Sequence, residues 1–339
     1  MSSEIDREVW IASSFTHVVR EAQAYGNVGL DGTLADALAA GGAWVQLTGC
    51  DSDLGNMIQG YHYLRWHQGG VPRIRLSHGL AAQLALTDPN GIDVAEVRLP
   101  FPNFAIELPH PNGPLVIQGA GESRQQDVPS LYITSWAESD DMDFESLQQK
   151  DDDLRGWFSK LADSKSRCQW NKPRVHVMLK ARGGIGVFGG MWLDRPIDLD
   201  LEAGGLLPLD ECSKRATMMA LRIIVNLALW LKAHDLGDTM SSAGRTVNHE
   251  HGLHSLFFEF GNEVKLDRSL RDAARAFCSS GQAHEKWTLE KRFIVRGHWK
   301  RQSFGEGRTQ RRLIFVEPYW KGPANAPVLS RTYVDNPKD

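Results

Sequence analysis

Arginine, lysine, histidine and tryptophan crowd one stretch near the C-terminus, "FIVRGHWKRQSFGEGRTQRRLIFVEPYWKGP", from Phe293 to Pro323. Those residue types suit phosphate chemistry: arginine forks onto phosphate oxygens, lysine supplies a point charge, and an aromatic ring stacks on a base. The pattern nominates Arg296, Lys300, Arg301, Arg308, Arg311 and Arg312 as phosphate contacts, with Trp299 and Phe304 as stacking platforms. His298 is a candidate acid or base, with Arg296 and Arg312 to stabilise charge on a phosphate. The same composition also describes a solvated edge hairpin, because Arg and Lys on an outer strand face discourage edge pairing.

Alternation gives the stretch a geometry. The runs "RFIVRGHWKRQ" and "TQRRLIFVEPYW" flank "SFGEGR", whose Gly305 and Gly307 suit a hairpin loop. On the first strand Phe293, Val295 and Trp299 share one face, and Ile294, Arg296, His298 and Lys300 share the other. The second strand separates Leu313 and Phe315 from Arg312, Ile314 and Val316 in the same way. The expectation is one packing face and one face presenting Arg296, His298, Lys300 and Arg312 together. Between Lys291 and Lys321 nine basic residues stand against Glu306 and Glu317, a net of +7, so with the whole chain at -4 the remaining residues carry -11. A positive patch on an acidic body steers polyanions locally, although the chain as a whole is not a basic protein.

The same run resembles the C-terminal signature of a loose group of uncharacterised proteins carried by phages, plasmids and other bacterial mobile elements. The resemblance lies in Arg296, Gly297, His298, Trp299 and Lys300, then Gly305, Gly307 and Arg308, then Lys321 and Gly322. The mid-chain "RLPFPNFAIELP" is similar to a second pattern of that group. The resemblance implies a bacterial or phage setting and leaves the chemistry open.

Other clusters read more blandly. His249, Glu250, His251 and His254 in "NHEHGLH" have metal-ligand or acid-base chemistry, but no fourth ligand lies nearby, and a polar loop is the expectation with no metal assigned. "ARGGIGVFGG" follows a strand but opens no helix, so Gly183, Gly184, Gly186, Gly189 and Gly190 are expected to turn between strands and not to cradle a nucleotide. The carboxylates Asp140, Asp141, Asp143, Glu145, Asp151, Asp152 and Asp153 read as a solvated helix face in preference to a magnesium site. Cys50, Cys168, Cys212 and Cys278 have no paired spacing and fit buried free thiols. No cofactor is assigned.

The elements that must position these residues follow from periodicity. Helices are expected in "REVWIASSFTHVVREAQAYG", "TLADALAAGGAWVQL", "GLAAQLALTD" and "LDRSLRDAARAFCSS". Strands are expected in "DVAEVRLPFPNFAIELP", "PLVIQG", "SLYITSWAE", "RVHVMLKA" and "SLFFEFG". The apolar run "ATMMALRIIVNLALWLKA" is interrupted by Arg222 and Asn226 and reads as a core helix, not a membrane span. Its two polar residues lie one turn apart, as a solvated stripe or an internal hydrogen-bonded contact.

The expected fold is α+β: mixed, mainly antiparallel strands packed with helices, one central apolar helix and a C-terminal basic β-hairpin. The chain divides into a mainly helical part, 1–90, and an α+β part, 91–339, unless the two intertwine as one domain. The leading functional expectation is a cytoplasmic bacterial or mobile-element protein that binds nucleic acid or a phosphate-bearing partner through the hairpin. The alternatives are an RNA- or nucleotide-directed enzyme using His298, and a module that meets an acidic protein partner.

Overall fold

The computed structural model describes residues 62, 65–67, 69–110, 113–118, 125–136, 174–181, 186–192, 197, 211–234, 236, 245–248, 254–261, 293–295 and 297–321. In chain order the first elements are β1 (Arg73–Leu76), α1 (His78–Leu86), β2 (Asn103–Glu107), β3 (Val116–Gln118), β4 (Gln125–Asp127), β5 (Ser130–Trp136) and β6 (Arg174–Lys180). Then come β7 (Gly186–Trp192), α2 (Glu211–Ala233), β8 (Arg245–Asn248) and β9 (His254–Phe260). Seven of these strands form one sheet in the order β7-β6-β5-β2-β1-β9-β8. β1 runs parallel to both neighbours and the other pairings are antiparallel, so the fold is the expected mixed, mainly antiparallel α+β arrangement.

Period-two alternation builds the core. Ile74 and Leu76, Phe104 and Ile106, Leu131 and Ile133, and Val175, Val177 and Leu179 lie on one face of the sheet, buried against α1 and α2. Burying an aliphatic side chain of this size contributes about 1.5–3 kcal/mol relative to leaving it exposed. α2 is the apolar run, and most of it lies inside the protein, which accounts for its hydrophobicity without a membrane. The helix comes so close to β7 that a Cβ on Gly189 would stand 2.0 Å from Thr217 Cγ2.

α1 begins at Ser77, whose Oγ accepts from the Leu80 N–H at 3.1 Å and donates to the Gly261 carbonyl. Gly261 has φ +82 and would place a Cβ 2.4 Å from Leu80, so a glycine is needed on both counts. Ahead of β1, Val71 N–H donates to Trp66 O and Gly70 N–H to His67 O, both at 3.1 Å. This paired bonding, with buried Trp66 and Val71, is the Schellman way of ending a helix.

The opposite sheet face is polar yet largely buried. Register sets Arg75 beside Glu107 on β2 and Glu259 on β9. Glu107 accepts from Arg73 Nε at 2.8 Å and from Arg75 Nε at 2.7 Å, and both guanidinium groups lie over the Phe257 ring. Breaking such a buried pair costs about 3–5 kcal/mol because the surviving charge is stranded. Farther along this face Trp66 meets Tyr132 edge-on, and His62 lies between Thr134 and His176.

Several expectations change. The strand expected through "DVAEVRLPFPNFAIELP" is confined to β2; Val94–Glu96 forms a 3-10 turn capped by Asp93, and Pro100 and Pro102 can donate nothing to a ladder. Gly186, Gly189 and Gly190 lie inside β7 and not in the turn; a Cβ on Gly189 would meet Thr217 of α2, and one on Gly190 would meet the Val175 carbonyl of β6. "RTVN", given no element by periodicity, is the strand β8 at one end of the sheet. β1, within the part expected to be mainly helical, sits in the middle of the sheet. The two N-terminal helices, the acidic run from Asp140 to Asp153 and the helix in "LDRSLRDAARAFCSS" lie outside the described residues.

Burial pushes the His62 imidazole down from 6.5 to about 3. Between those values the unfolded chain takes up a proton that the folded chain excludes, so stability falls as pH drops below about 6.5 and keeps falling toward 3. One such group gives a slope of up to about 1.4 kcal/mol per pH unit. Urea midpoints measured from pH 7.5 to 5 should show this loss, and His62→Gln should flatten it; an unchanged slope would remove His62 as its source.

Candidate nucleic-acid interface

The basic C-terminal stretch forms a two-stranded ribbon. Its strands are β10 (Phe293–Val295), β11 (His298–Phe304), β12 (Gln310–Val316) and β13 (Tyr319–Lys321), with β10 paired to β13 and β11 to β12. The register runs through without a slip, since Val295 faces Tyr319 and His298 faces Val316. The ladder is interrupted at Gly297 and Pro318, where proline has no N–H to give. That interruption is the docking point: Asp88 N–H donates to Gly297 O at 3.1 Å, and a Cβ on Gly297 would stand 2.4 Å from Thr87 Oγ1. The glycine of the "RGHW" core is thus required by the close approach of the chain leaving α1.

A second contact fixes the ribbon to the core. Asn226, fully buried in α2, donates through Nδ2 to Leu84 O at 2.9 Å and to Thr87 O at 3.0 Å, and accepts through Oδ1 from Trp299 Nε1 at 2.8 Å. The carbonyls at the end of α1, which a helix cannot satisfy internally, are closed by the same side chain that holds the ribbon. Thr87 completes the end by donating its hydroxyl to Gln83 O at 2.7 Å. Trp299 packs on Phe315 with ring centroids 5.0 Å apart, and Leu313 joins them against the core. Of the two readings open for Arg222 and Asn226, the solvated stripe is corrected: both are buried, and Asn226 is an internal hydrogen-bonded contact.

Cross-strand pairing sorts the remaining side chains. Trp299, Phe315, Arg301, Leu313, Ser303 and Arg311 share the docking face. His298, Lys300, Gln302, Phe304, Gln310 and Arg312 share the opposite face and are exposed, together with Ile314 and Val316, which are half-buried. His298, Lys300 and Arg312 therefore stand together as alternation implied, while Arg301 and Arg311 point the other way. Arg301 lies 3.7 Å from Glu96, which also pairs with Lys232 in the last turn of α2. Trp299 turns its indole edge inward and serves as an anchor; Phe304, 44% exposed, is the aromatic of the opposite face of β11–β12, and Tyr319 on β13 is likewise exposed. Arg296 lies outside the described residues, as do His249, Glu250 and His251; His254 opens β9.

The ribbon's tip is strained. Arg308 N–H donates to Gly305 O at 3.1 Å around Gly307, whose φ 66 and ψ 5 suit the third position of a type II turn. Arg308 follows at φ 55, a left-handed conformation that L side chains other than Asn and Asp rarely take. Sequence reasoning missed Gln302 and Gln310, which the same alternation would have found, and the anchoring part of Asn226, whose signal was a lone amide in an apolar helix. Among the described residues no cluster of His, Cys, Asp and Glu could hold a metal ion.

The structure thus defines an α+β protein whose core carries a docked cationic ribbon. A family model described as "AcrVA2-like: Anti-CRISPR type V subtype A2 family" matches residues 74–323, taking in the sheet, both helices and the ribbon. The chain belongs to this AcrVA2-like anti-CRISPR family. That membership agrees with the phage and mobile-element setting implied by the sequence. A solved structure titled "Crystal structure of AcrVA2" is similar over 91% of this chain and 95% of its own, with 10% identity and a TM-score of 0.42. At that level the likeness adds nothing to the family assignment. No curated protein matches.

Replacing Asn226 by Ala would leave the Thr87 carbonyl and the Trp299 N–H without this partner, and the Leu84 carbonyl with only the Thr87 N–H. At about 1 kcal/mol or more for each orphaned group, the loss should be about 2–3 kcal/mol in urea denaturation. Trp299 fluorescence should shift to the red as the ribbon detaches. A variant within 0.5 kcal/mol of the parent, with unchanged emission, would contradict the anchoring assignment.

Proposed function

We propose that this anti-CRISPR protein works by binding nucleic acid along the outward face of the β11–β12 ribbon. The observation that carries this reading is the exposed set His298, Lys300, Gln302, Phe304, Gln310 and Arg312, which shares its face with the half-buried Ile314 and Val316 and with no carboxylate. Lys300 and Arg312 supply phosphate contacts, and the amides of Gln302 and Gln310 supply donors and acceptors suited to base edges. Arg308 and Arg311 extend the positive potential to the tip, and Arg301, shared with Glu96, lies along the other side. An RNA-guided defence system offers such a surface its guide, target and transcript, all of them polyanions.

Binding to a labelled oligonucleotide should weaken steeply with salt, because each cation-phosphate contact releases counterions. Lys300→Ala with Arg312→Ala should lower the slope of log affinity against log salt by about 1.4 on a single strand. Binding that ignores salt, or a double variant with the parent slope, would refute the reading. Capture of an acidic protein in place of nucleic acid would point to the interaction-module alternative.

A catalytic role for His298 is the second reading, favoured by its place on the same face as Lys300 and Arg312. Its exposed position ranks binding ahead, since acid-base catalysis gains most in a pocket that excludes water. His298→Ala separates the two readings when cleavage and binding are measured together. Loss of RNA cleavage with binding retained would promote the enzyme reading; unchanged RNA profiles for parent and variant would dismiss it.

A further inference from the structure

We infer that the ribbon selects single-stranded nucleic acid over duplex, with Phe304 as the platform on which an unpaired base stacks. The inference rests on the nucleic-acid reading above and specifies its substrate class. Phe304 closes β11 opposite Gln310, on the solvent side, and is the large aromatic of that face. It makes no use of the core, whereas Trp299 on the other face is committed to Asn226 and Phe315. An exposed phenyl ring at a ribbon tip costs solubility and gives packing nothing. A base with an open face is the partner that would bury it.

In a duplex each base face is already covered by its neighbours, so Phe304 could engage only by prising a step apart. The amides point the same way. Gln302 lies beside Arg312, and Gln310 lies beside Phe304. Side chains this short reach base edges readily when the bases are splayed out, as in single strands and loops.

Arg308 adds a cation at the same end of the ribbon, in the turn that follows Phe304, where a phosphate flanking the stacked base would lie.

The test uses the full chain and one mixed-sequence fluorescent oligonucleotide presented as single-stranded RNA, single-stranded DNA and the matching duplexes, at one salt concentration. The single strands should bind at least about tenfold more tightly than the duplexes. Phe304→Ala should lower single-strand affinity roughly 5- to 150-fold and leave duplex affinity unchanged, and Phe304→Trp should restore it. Duplex binding as tight as single-strand binding would overturn the inference while leaving the nucleic-acid reading in place. So would a Phe304→Ala variant with parental single-strand affinity. Failure to bind any of the four forms would overturn both together.

Discussion

The buried amide of Asn226 joins three parts of the protein that lie far apart in the chain: the middle of α2, the end of α1 and the ribbon. Both of its N–H groups and its oxygen are engaged, so the group is paired in an interior where an unmet donor or acceptor would be costly. Three hydrogen bonds at one side chain also set an orientation. Apolar contacts among Trp299, Leu313 and Phe315 would tolerate a ribbon that slid or rolled, but a bond from the Trp299 indole to a fixed oxygen would not. Gly297 sets the second point of attachment by letting the backbone of Asp88 approach. Two points define the ribbon's axis, and alternation then decides which side chains face outward.

Charge follows from that mounting. On the docking side Arg301 meets Glu96 of the body, whereas the outward side carries Lys300 and Arg312 with no acid between them. The sheet handles its own charges differently. Arg73 and Glu107 are buried and paired on the polar face, with Arg75 and Glu259 carrying the row outward to solvent. Buried pairs of that kind hold register; exposed, unmatched cations invite a partner. The chain thus buries paired charge in the sheet and leaves Lys300 and Arg312 exposed on the ribbon.

Much of this was legible in local pattern. The ribbon, the apolar helix and strands β5, β6 and β9 each carry a period that a short window reveals. β8 escaped because "RTVN" is four residues long, sits among serines and glycines, and becomes a strand only by pairing with β9. β1 escaped because "RIRL" places two charges on a strand, and those charges make sense only beside Glu107, 34 and 32 positions away. Gly189 reads as a turn glycine until a helix is packed on it. For the candidate site, the residue types and the cationic face were readable, but the bond between Trp299 and Asn226 spans 73 positions and no spacing rule predicts it. Local chemistry announced the ribbon; tertiary contacts decided which of its residues are anchors and which face outward.

Hydrogen exchange with and without a saturating oligonucleotide tests the account most directly. The mounted-ribbon account predicts slowed exchange across His298–Phe304 and Gln310–Val316, with the buried strands β5 and β6 unchanged. Protection elsewhere on the surface with the ribbon unaltered would contradict it.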